Sequence, residues 1–494
     1  MVELHRHDAL DLESYRRIVL AGEQVAVDEF LFEQVERSRE ALVRHLETGV
    51  AAYGVTTGLG YLASETIGDG EQASLQRSLL TARASGLGSP LAGDIVRGAM
   101  LLRLVGFLSG FPGVSAALCR FLVARLNQGW SPIVPAGPYG ASGEIAPLAH
   151  LFQTFIGEGL VELGGERLSA QEALERAGVE AYEPAPKEGV ALLNGSPFGT
   201  ALGIHLGDAG GRVLQQATVG AALAVALVDA SARPFSPRVL LLTGDVAAQT
   251  IGRQLLELLG SAAQWDERAQ PPVSFRVIPE VHGTLQRALA ELTQLLDTRL
   301  SSVTDSPLLL DSKDDEPEGL YPSGGFHAIE LTLRLEAVAV AAVQVSNLVE
   351  KRLHRLMDAR FSGLPEQLAR RPGLQAGAVS LHKAVVGLTA ENRLLAAPAS
   401  VHALDTSTGQ EDLQAFTFLA AARLEAVLDN LEAAVACELV ALRQAAHLRG
   451  SELGARPLER LVARLAEIVD PIDEDRTLSP DIERVRALLH SGEL

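Results

Sequence analysis

Three small residues in a glycine- and proline-rich stretch have the composition to form a reactive group. The stretch is residues 135–150, PAGPYGASGEIAPLAH, and its centre is Ala141-Ser142-Gly143. Glycine at 143 lets its backbone nitrogen approach the carbonyl of residue 141, because no Cβ obstructs the tight turn. Attack of that nitrogen with loss of water would close an imidazolone ring, and loss of the Ser142 hydroxyl would leave an electrophilic methylidene carbon. The alternative is an ordinary loop of small residues.

The elements that must hold this triplet are predicted to be helices. The stretch EIAPLAHLFQTFIGEG after Gly143 reads as a helix with Pro147 in its first turn, where proline is tolerated. Apolar residues recur at helical spacing over 28–48 and in two or three helices over 71–128. The longest such patterns run over 208–232, 244–264, 280–300, 326–360, 410–448 and 456–468. Helices of this length predict a mainly α fold built on a long-helix bundle.

We expect two domains, a helical domain over 1–200 that carries the Ala-Ser-Gly loop and a long-helix bundle over 201–494. The bundle would hold the oligomer core and loops that reach the substrate pocket. Loops with polar residues that a bundle core does not need connect the helices, and chemistry is commonly found on such loops.

Composition limits the partners of the chain. Its 494 residues are 47% hydrophobic with a formal net charge of −20, which argues against nucleic acid as a partner because phosphate binding needs a basic surface. Apolar runs stay below the roughly 20 residues that cross a bilayer, and the N-terminus lacks the apolar core of a signal peptide. The two cysteines have no metal-like spacing, and neither do the twelve histidines. We therefore expect a cytoplasmic enzyme with a small-molecule substrate and no metal.

The loop at 137–150 resembles that of a known family, the histidine and phenylalanine ammonia-lyases and related aminomutases. The family's loop reads GSVGASGDLAPLAH, and this chain departs from it at Pro138, Tyr139, Glu144 and Ile145. Other family blocks recur in order along the chain: YGVTTGLG at 53–60, LQRSLL at 75–80, PKEGVALLNG at 186–195, SVTDSPLL at 302–309, SGGFHA at 323–328 and GQED at 409–412. These blocks identify the sequence as a member of the family.

The resemblance implies a fold, a cofactor and a reaction. The fold would be the long-helix bundle of these lyases, which belongs to the fumarase/aspartase-like superfamily, assembled as a homotetramer whose active sites are shared between subunits. The cofactor would be 4-methylideneimidazol-5-one, formed autocatalytically from Ala141-Ser142-Gly143. The reaction would be elimination of ammonia from an L-amino acid, which needs a general base for a weakly acidic β-proton.

The resemblance also assigns roles to residues. Tyr53 matches the tyrosine that removes the β-proton, although a half-buried structural aromatic is the alternative. Asn194 matches the asparagine that hydrogen-bonds the imidazolone oxygen, and a turn-forming Asn-Gly is its alternative. Arg276 matches the arginine that clamps the substrate carboxylate, a task suited to a guanidinium.

Other matching positions would line the pocket. Phe326 resembles the aromatic beside the prosthetic group, although the family's usual asparagine before it is missing here. Gln270, Gln410 and Glu411 match pocket-lining positions. The string Gln410-Glu411-Asp412 resembles the histidine-specific branch and favours histidine or a histidine-like substrate.

Two departures from the family pattern bear on the reaction. Val273 stands where the family's lid loop has a tyrosine; Tyr139 or Tyr321 is a candidate to replace its hydroxyl. Arg83 stands where histidine- and tyrosine-specific members have a histidine, and it would either pair with Glu411 or recognise an anionic or carbonyl-bearing substrate. The sequence leaves two alternatives to the lyase: a 2,3-aminomutase that makes a β-amino acid, and a homologue with altered or lost activity.

Overall fold

The computed structural model describes residues 1–266 and 270–492, and these are mainly helical. The predicted fold class is confirmed. Several helices begin at side chains that accept a backbone hydrogen bond: Asp11 accepts from Ser14, and Ser169 forms a capping box with Glu172. Such caps satisfy N–H groups that have no partner within the helix.

The first eight helices precede the longest ones. They are α1 Leu12–Val19, α2 Glu29–Glu47, α3 Gln72–Ala82, α4 Gly93–Leu108, α5 Ala116–Asn127, α6 Ile145–Phe152, α7 Ala170–Arg176 and α8 Glu188–Leu193. The remaining helices include four of 22 to 33 residues. They are α9 Pro197–Leu227, α10 Pro237–Leu241, α11 Val246–Leu259, α12 Val273–Arg276, α13 Ile278–Arg299, α14 Ile329–Met357, α15 Ala359–Ser362, α16 Val379–Leu395, α17 Thr417–Arg449, α18 Arg456–Ile468 and α19 Ser479–Ser491.

The strands are short and form three small sheets. They are β1 Val2–Leu4, β2 Val25–Val27, β3 Ser131–Pro132, β4 Leu160–Leu163, β5 Glu166–Ser169, β6 Leu308–Leu310 and β7 Gly319–Tyr321. Strands β1 and β2 pair in parallel, β3, β4 and β5 form an antiparallel sheet in that order, and β6 pairs with β7 as an antiparallel hairpin. In the hairpin Leu308 pairs with Tyr321. The chain after β7 continues into the segment that contains Phe326.

The chain forms two compact units. The first consists of 1–205, 293–333 and 399–421, and the second of 206–292, 334–398 and 422–494. Four of the five boundaries between them fall within α9, α13, α14 and α17, and the fifth, at 398/399, lies in the loop after α16. Each unit thus combines segments that are distant in sequence, whereas the expected domains, 1–200 and 201–494, are continuous. That division into domains stays a prediction.

Two helix boundaries differ from those expected. Helix α9 begins at Pro197 rather than at 208, because the Glu144 carboxylate accepts the N–H groups of Phe198 and Gly199 at its first turn. Helix α17 begins at Thr417 rather than at 410, since residues 406–411 fold back in a turn closed by a bridge between Thr406 and Glu411. Both differences depend on contacts that are distant in sequence or specific to a loop.

Several helices were not predicted, and the longest of these are α16 and α19. Helix α16 has only four buried positions, Leu381, Val385, Thr389 and Asn392, of which two are polar. Helix α19 buries Asp481 beside its apolar residues. Polar residues on the buried face weaken the apolar periodicity on which the prediction depends.

Both cysteines are buried and free. Burial raises the pKa of the Cys437 thiol to about 12 and that of Cys119 further still. Among the described residues, no helix combines the length and the apolar character that crossing a membrane requires.

Candidate active site

A cavity of about 580 Å³ in the first compact unit collects most of the predicted site residues. Its walls come from the loop after α2, the Ala-Ser-Gly loop, the end of α8, the segments on either side of the β6–β7 hairpin, and the loop before α17. Predicted site residues that line it are Tyr53, Ser142, Gly143, Asn194, Phe326, Gln410 and Glu411. These residues are up to 358 positions apart in sequence, so the fold alone brings them together.

The triplet is held by hydrogen bonds to the loop before α17. The Ser142 N–H donates to Glu411 Oε2 at 3.0 Å, and the Ser142 hydroxyl donates to the carbonyl of Leu413 at 2.8 Å. Phe326 packs against Gly143, such that a Cβ built on Gly143 would lie 3.3 Å from Phe326 Cδ2. A side chain at 143 would therefore displace Phe326. Ala141 lies on a small adjoining cavity together with Tyr139 and Phe326.

Glu144 fixes the start of α6 to the start of α9. Its carboxylate is buried and accepts the N–H groups of Phe198 at 2.7 Å and Gly199 at 2.6 Å. Burial raises the pKa of Glu144 to about 7, although these two hydrogen bonds and the charges of Arg299 and Arg103 act in the opposite direction. The residue directly after the triplet thus cross-links two helices.

Tyr53 lies on the cavity wall, and 38% of the residue is exposed. The N–H of Gly60 donates to its oxygen at 2.7 Å. Gly60 has a φ of 58°, in the left-handed region that glycine adopts without strain. A donor aimed at the phenolic oxygen stabilises negative charge there.

Asn194 ends α8 and is anchored through its side-chain amide. Its Nδ2 donates to the carbonyl of Ser306 at 2.8 Å and to that of Val190 at 3.2 Å. Gly195 follows with a φ of 134°, and a Cβ there would lie 2.7 Å from Arg103 Nη1. Only glycine therefore fits this turn.

A buried ion pair supports the same region. Lys187 Nζ lies 2.7 Å from Asp305 Oδ2, and both side chains are 0% exposed. Lys187 precedes α8, which ends at Asn194, and Asp305 precedes Ser306, which accepts the Asn194 hydrogen bond. The pair thus joins the two segments that position Asn194. Burial lowers the pKa of Lys187, and the charge of Asp305 opposes that shift.

Arg83 lies on a second cavity of about 370 Å³ that shares Tyr53, Asn194 and Glu411 with the first. Burial lowers its pKa, while the charges of Tyr53 and Glu411 raise it. Within the described residues Arg83 forms neither a hydrogen bond nor an ion pair, with Glu411 or any other side chain. Of the two roles expected for Arg83, pairing with Glu411 is therefore not observed among the described residues, and recognition of a substrate stays a prediction.

Gln270 and Arg276 belong to the second compact unit. There Arg276 Nη1 donates to Gln270 Oε1 at 3.2 Å, and Arg276 Nε is buried without a hydrogen-bond partner in the described part of the chain. Val273, at the start of α12, is 59% exposed. The predicted roles of Gln270 and Arg276 stay predictions.

The two tyrosines considered as substitutes for the missing lid tyrosine are engaged elsewhere. The Tyr139 hydroxyl donates to the carbonyl of Pro135, and burial raises the pKa of Tyr139 to about 12. The Tyr321 hydroxyl donates to the carbonyl of Pro317 at 2.6 Å. Neither hydroxyl is directed into the larger cavity by these bonds.

Several residues important to the geometry were not predicted. Thr406 and Ser407 donate to the two carboxylate oxygens of Glu411, at 3.3 and 2.9 Å. Lys187, Asp305 and Ser306 position Asn194. The last three lie within the PKEGVALLNG and SVTDSPLL blocks, so their place in these blocks was the only available signal.

Comparison with known proteins shows the family of the chain. Residues 10–467 match the model of the family described as aromatic amino acid lyase. A histidine ammonia-lyase from Symbiobacterium thermophilum is 35% identical over 100% of this chain and 97% of its own length. One from Bacillus subtilis is 33% identical over 95% and 92%, respectively.

Solved structures give the same result for the fold. A phenylalanine aminomutase from Pantoea agglomerans superposes with a TM-score of 0.92 at 26% identity and covers 99% of each chain. A histidine ammonia-lyase from Trypanosoma cruzi superposes with a TM-score of 0.89 at 26% identity, over 100% of this chain and 94% of that one. The chain belongs to the aromatic amino acid lyase family, and the predicted carbon–nitrogen lyase class is confirmed.

Proposed function

We propose that this enzyme is a methylideneimidazolone-dependent ammonia-lyase that converts a histidine-like L-amino acid into an α,β-unsaturated acid. The observation that carries the proposal is the cavity of about 580 Å³, on whose walls Tyr53, Ser142, Asn194 and Glu411 converge. The full-length similarity to histidine ammonia-lyases supports the choice of substrate class.

The residues around the triplet fit the prosthetic group. A side chain at 143 would crowd Phe326, and Ser142 is half-buried with its N–H bonded to Glu411. Once formed, the group supplies an electrophilic carbon that turns the substrate amine into a leaving group. Ring closure would release one water, made from the Ala141 carbonyl oxygen and the hydrogens on the nitrogens of Gly143 and Ser142. A second water, made from the Ser142 hydroxyl and the Ser142 Cα hydrogen, would leave to form the methylidene.

Ring closure has a consequence for Glu411. It removes the Ser142 N–H that Glu411 Oε2 accepts, while Ser407 and Thr406 still hold the carboxylate. Glu411 then has an acceptor site free for the N–H of a substrate imidazole. Charge-assisted hydrogen bonds of this kind are among the stronger ones in proteins.

Tyr53 is the proposed base for the β-proton. Its oxygen accepts the Gly60 N–H, and the Arg83 guanidinium is close enough for the two groups to interact electrostatically. These two groups place a hydrogen-bond donor and a positive charge beside the oxygen that would accept the proton. Asn194 would donate to the ring oxygen by exchanging its longer bond, to Val190, for that acceptor.

Arg83 distinguishes the proposed substrate from plain histidine. Among the described residues the Arg83 guanidinium has no side-chain partner, and it lies on a cavity shared with Tyr53 and Glu411. It can therefore donate hydrogen bonds to an acceptor on the substrate side chain. We therefore favour an imidazole-type amino acid that carries a carbonyl or an anionic group.

We further propose a cytoplasmic homotetramer in which Gln270 and Arg276 of one copy complete the cavity of another. The Arg276 guanidinium donates to Gln270, and its Nε has no partner in the described part of the chain, so it has donors left for a carboxylate. The similarity to a phenylalanine aminomutase supports one alternative outcome, in which ammonia adds back at the β-carbon.

The ring is tested by ultraviolet absorbance. The difference spectrum between wild type and Ser142→Ala is expected to show the absorbance of the conjugated ring. Ser78→Ala, at an exposed serine of α3, is the matched control and should keep the wild-type spectrum. Identical spectra for wild type and Ser142→Ala would exclude the cofactor.

The reaction is tested by incubation with a panel of L-amino acids, including histidine and oxidised or acylated imidazole analogues. An unsaturated acid as the only product supports the lyase, and a β-amino acid supports the aminomutase. An intact ring without any product would contradict both reactions for the compounds tested.

A further inference from the structure

Helices α14 and α16 bring two histidines and a glutamate together in the second compact unit. Glu350 and His354 lie one turn apart on α14, and residues four apart share one face of a helix. His382 of α16 completes the group, with its Nε2 2.9 Å from Glu350 Oε1 and its ring centroid 5.0 Å from that of His354. One ligand atom from each residue lies within 4.8 Å of the other two.

The two helices hold this group on a well-defined scaffold. Further along the same pair, Ser346 Oγ lies 3.0 Å from Thr389 Oγ1 in a buried contact, and Arg393 donates to Asn347 at 2.8 Å. Residues with higher sequence numbers on α14 contact residues with lower sequence numbers on α16, so the two helices run antiparallel. These contacts fix the backbone of both helices next to the cluster.

We propose that Glu350, His354 and His382 bind a divalent transition-metal ion such as Zn²⁺. Two imidazoles and one carboxylate are ligands that suit zinc, which binds them at about 2.0–2.2 Å. A tetrahedral ion at those distances separates its ligand atoms by about 3.3 Å. The His382–Glu350 contact must lengthen slightly and His354 must approach by a small side-chain rotation. His354 is exposed, which permits that movement and leaves the remaining position to water.

The charge around Glu350 is compatible with a metal. Its side chain is 7% exposed, and Lys351 Nζ lies 2.7 Å from its other oxygen, Oε2. Lys351 is 58% exposed, so it can return to solvent when an ion neutralises the carboxylate. The alternative is that His382 and Glu350 only form a hydrogen bond between the two helices and bind no metal.

No spacing in the sequence indicated this site. Ligands close together in sequence, as in HExxH, identify many zinc sites, whereas here a Glu–His pair on one helix is joined by a histidine 28 residues later. The expectation of no metal rested on local spacing only.

The experiment uses the full-length, untagged protein after treatment with a chelator. Zn²⁺ is titrated in competition with a chromophoric indicator, and Co²⁺ is added separately to record its visible absorption. We expect one high-affinity Zn²⁺ per chain and a Co²⁺ spectrum typical of nitrogen and oxygen ligands. His354→Ala and His382→Ala should each weaken Zn²⁺ binding at least about 100-fold, because loss of a mere supporting hydrogen bond already costs about 10–100-fold.

His447→Ala is the matched control. His447 also contacts a carboxylate, with its Nε2 3.3 Å from Asp473 Oδ1, but belongs to no three-ligand group among the described residues. This variant should bind Zn²⁺ like wild type. Circular dichroism checks that each variant is folded, and His354→Asn provides a second change at the exposed position. The proposal is wrong if wild type binds no Zn²⁺ tightly, or if the His354 and His382 variants bind it as well as His447→Ala does.

Discussion

Replacing Asp305 by asparagine should destabilise the protein more than almost any other isosteric change. Asp305 and Lys187 are both 0% exposed and lie 2.7 Å apart. In Asp305→Asn the Lys187 ammonium would stay buried without its counterion. Burial already lowers the pKa of Lys187, and the charge of Asp305 opposes that shift. Without Asp305, keeping the buried amine protonated would therefore cost more free energy on folding.

The size of the effect follows from the burial of the pair. Removing one partner of a fully buried ion pair costs about 3–5 kcal/mol, because it leaves an uncompensated charge in the interior. The loss should also reduce activity. Lys187 and Asp305 are adjacent to the two segments that position Asn194, and its bond to Ser306 depends on their alignment.

The assay is urea-induced unfolding at one fixed protein concentration, since assembly makes apparent stability depend on concentration. Asp311→Asn, at an exposed aspartate after β6, is the control and should change the free energy of unfolding by less than about 0.5 kcal/mol. The double variant Lys187→Met, Asp305→Leu should recover much of the loss, because apolar replacements leave no unpaired charge. The reasoning fails if Asp305→Asn unfolds like Asp311→Asn, or if the double variant is less stable than the single one.

Two further predictions concern charged residues at the site. Folding raises the pKa of Glu144 from 4.5 to about 7, so between these pH values the folded state retains a proton that the unfolded state releases. The free energy of unfolding should therefore fall by about 3 kcal/mol as the pH rises from below 4.5 to above 7. Glu144→Gln, measured beside wild type at each pH by urea unfolding, should abolish that contribution; a parallel pH dependence in both proteins would refute it. Arg83→His should lower kcat/KM for a carbonyl-bearing or anionic imidazole substrate about 10–100-fold, the value of one hydrogen bond to a charged group, and should lower it less for histidine. Arg37→His, at a surface arginine whose side chain is 58% exposed, serves as its control, and equal losses for both substrates would exclude a role in selectivity.

The sequence by itself determined the helical class and the lyase family. Periodicity in long apolar stretches predicts helices whatever their partners, and the ordered blocks from YGVTTGLG to GQED carry the family resemblance. Seven residues named from those blocks line one cavity.

Only the tertiary structure decided how these residues are held. The carboxylate of Glu144 starts α9 across 54 residues, and Lys187 meets Asp305 across 118. Local patterns cannot reveal such contacts, since hydrogen bonds and buried charges depend on which segments are brought together. The same limit applies to Arg83, whose open surroundings became visible only in three dimensions, and to His382, which joins Glu350 and His354 from another helix.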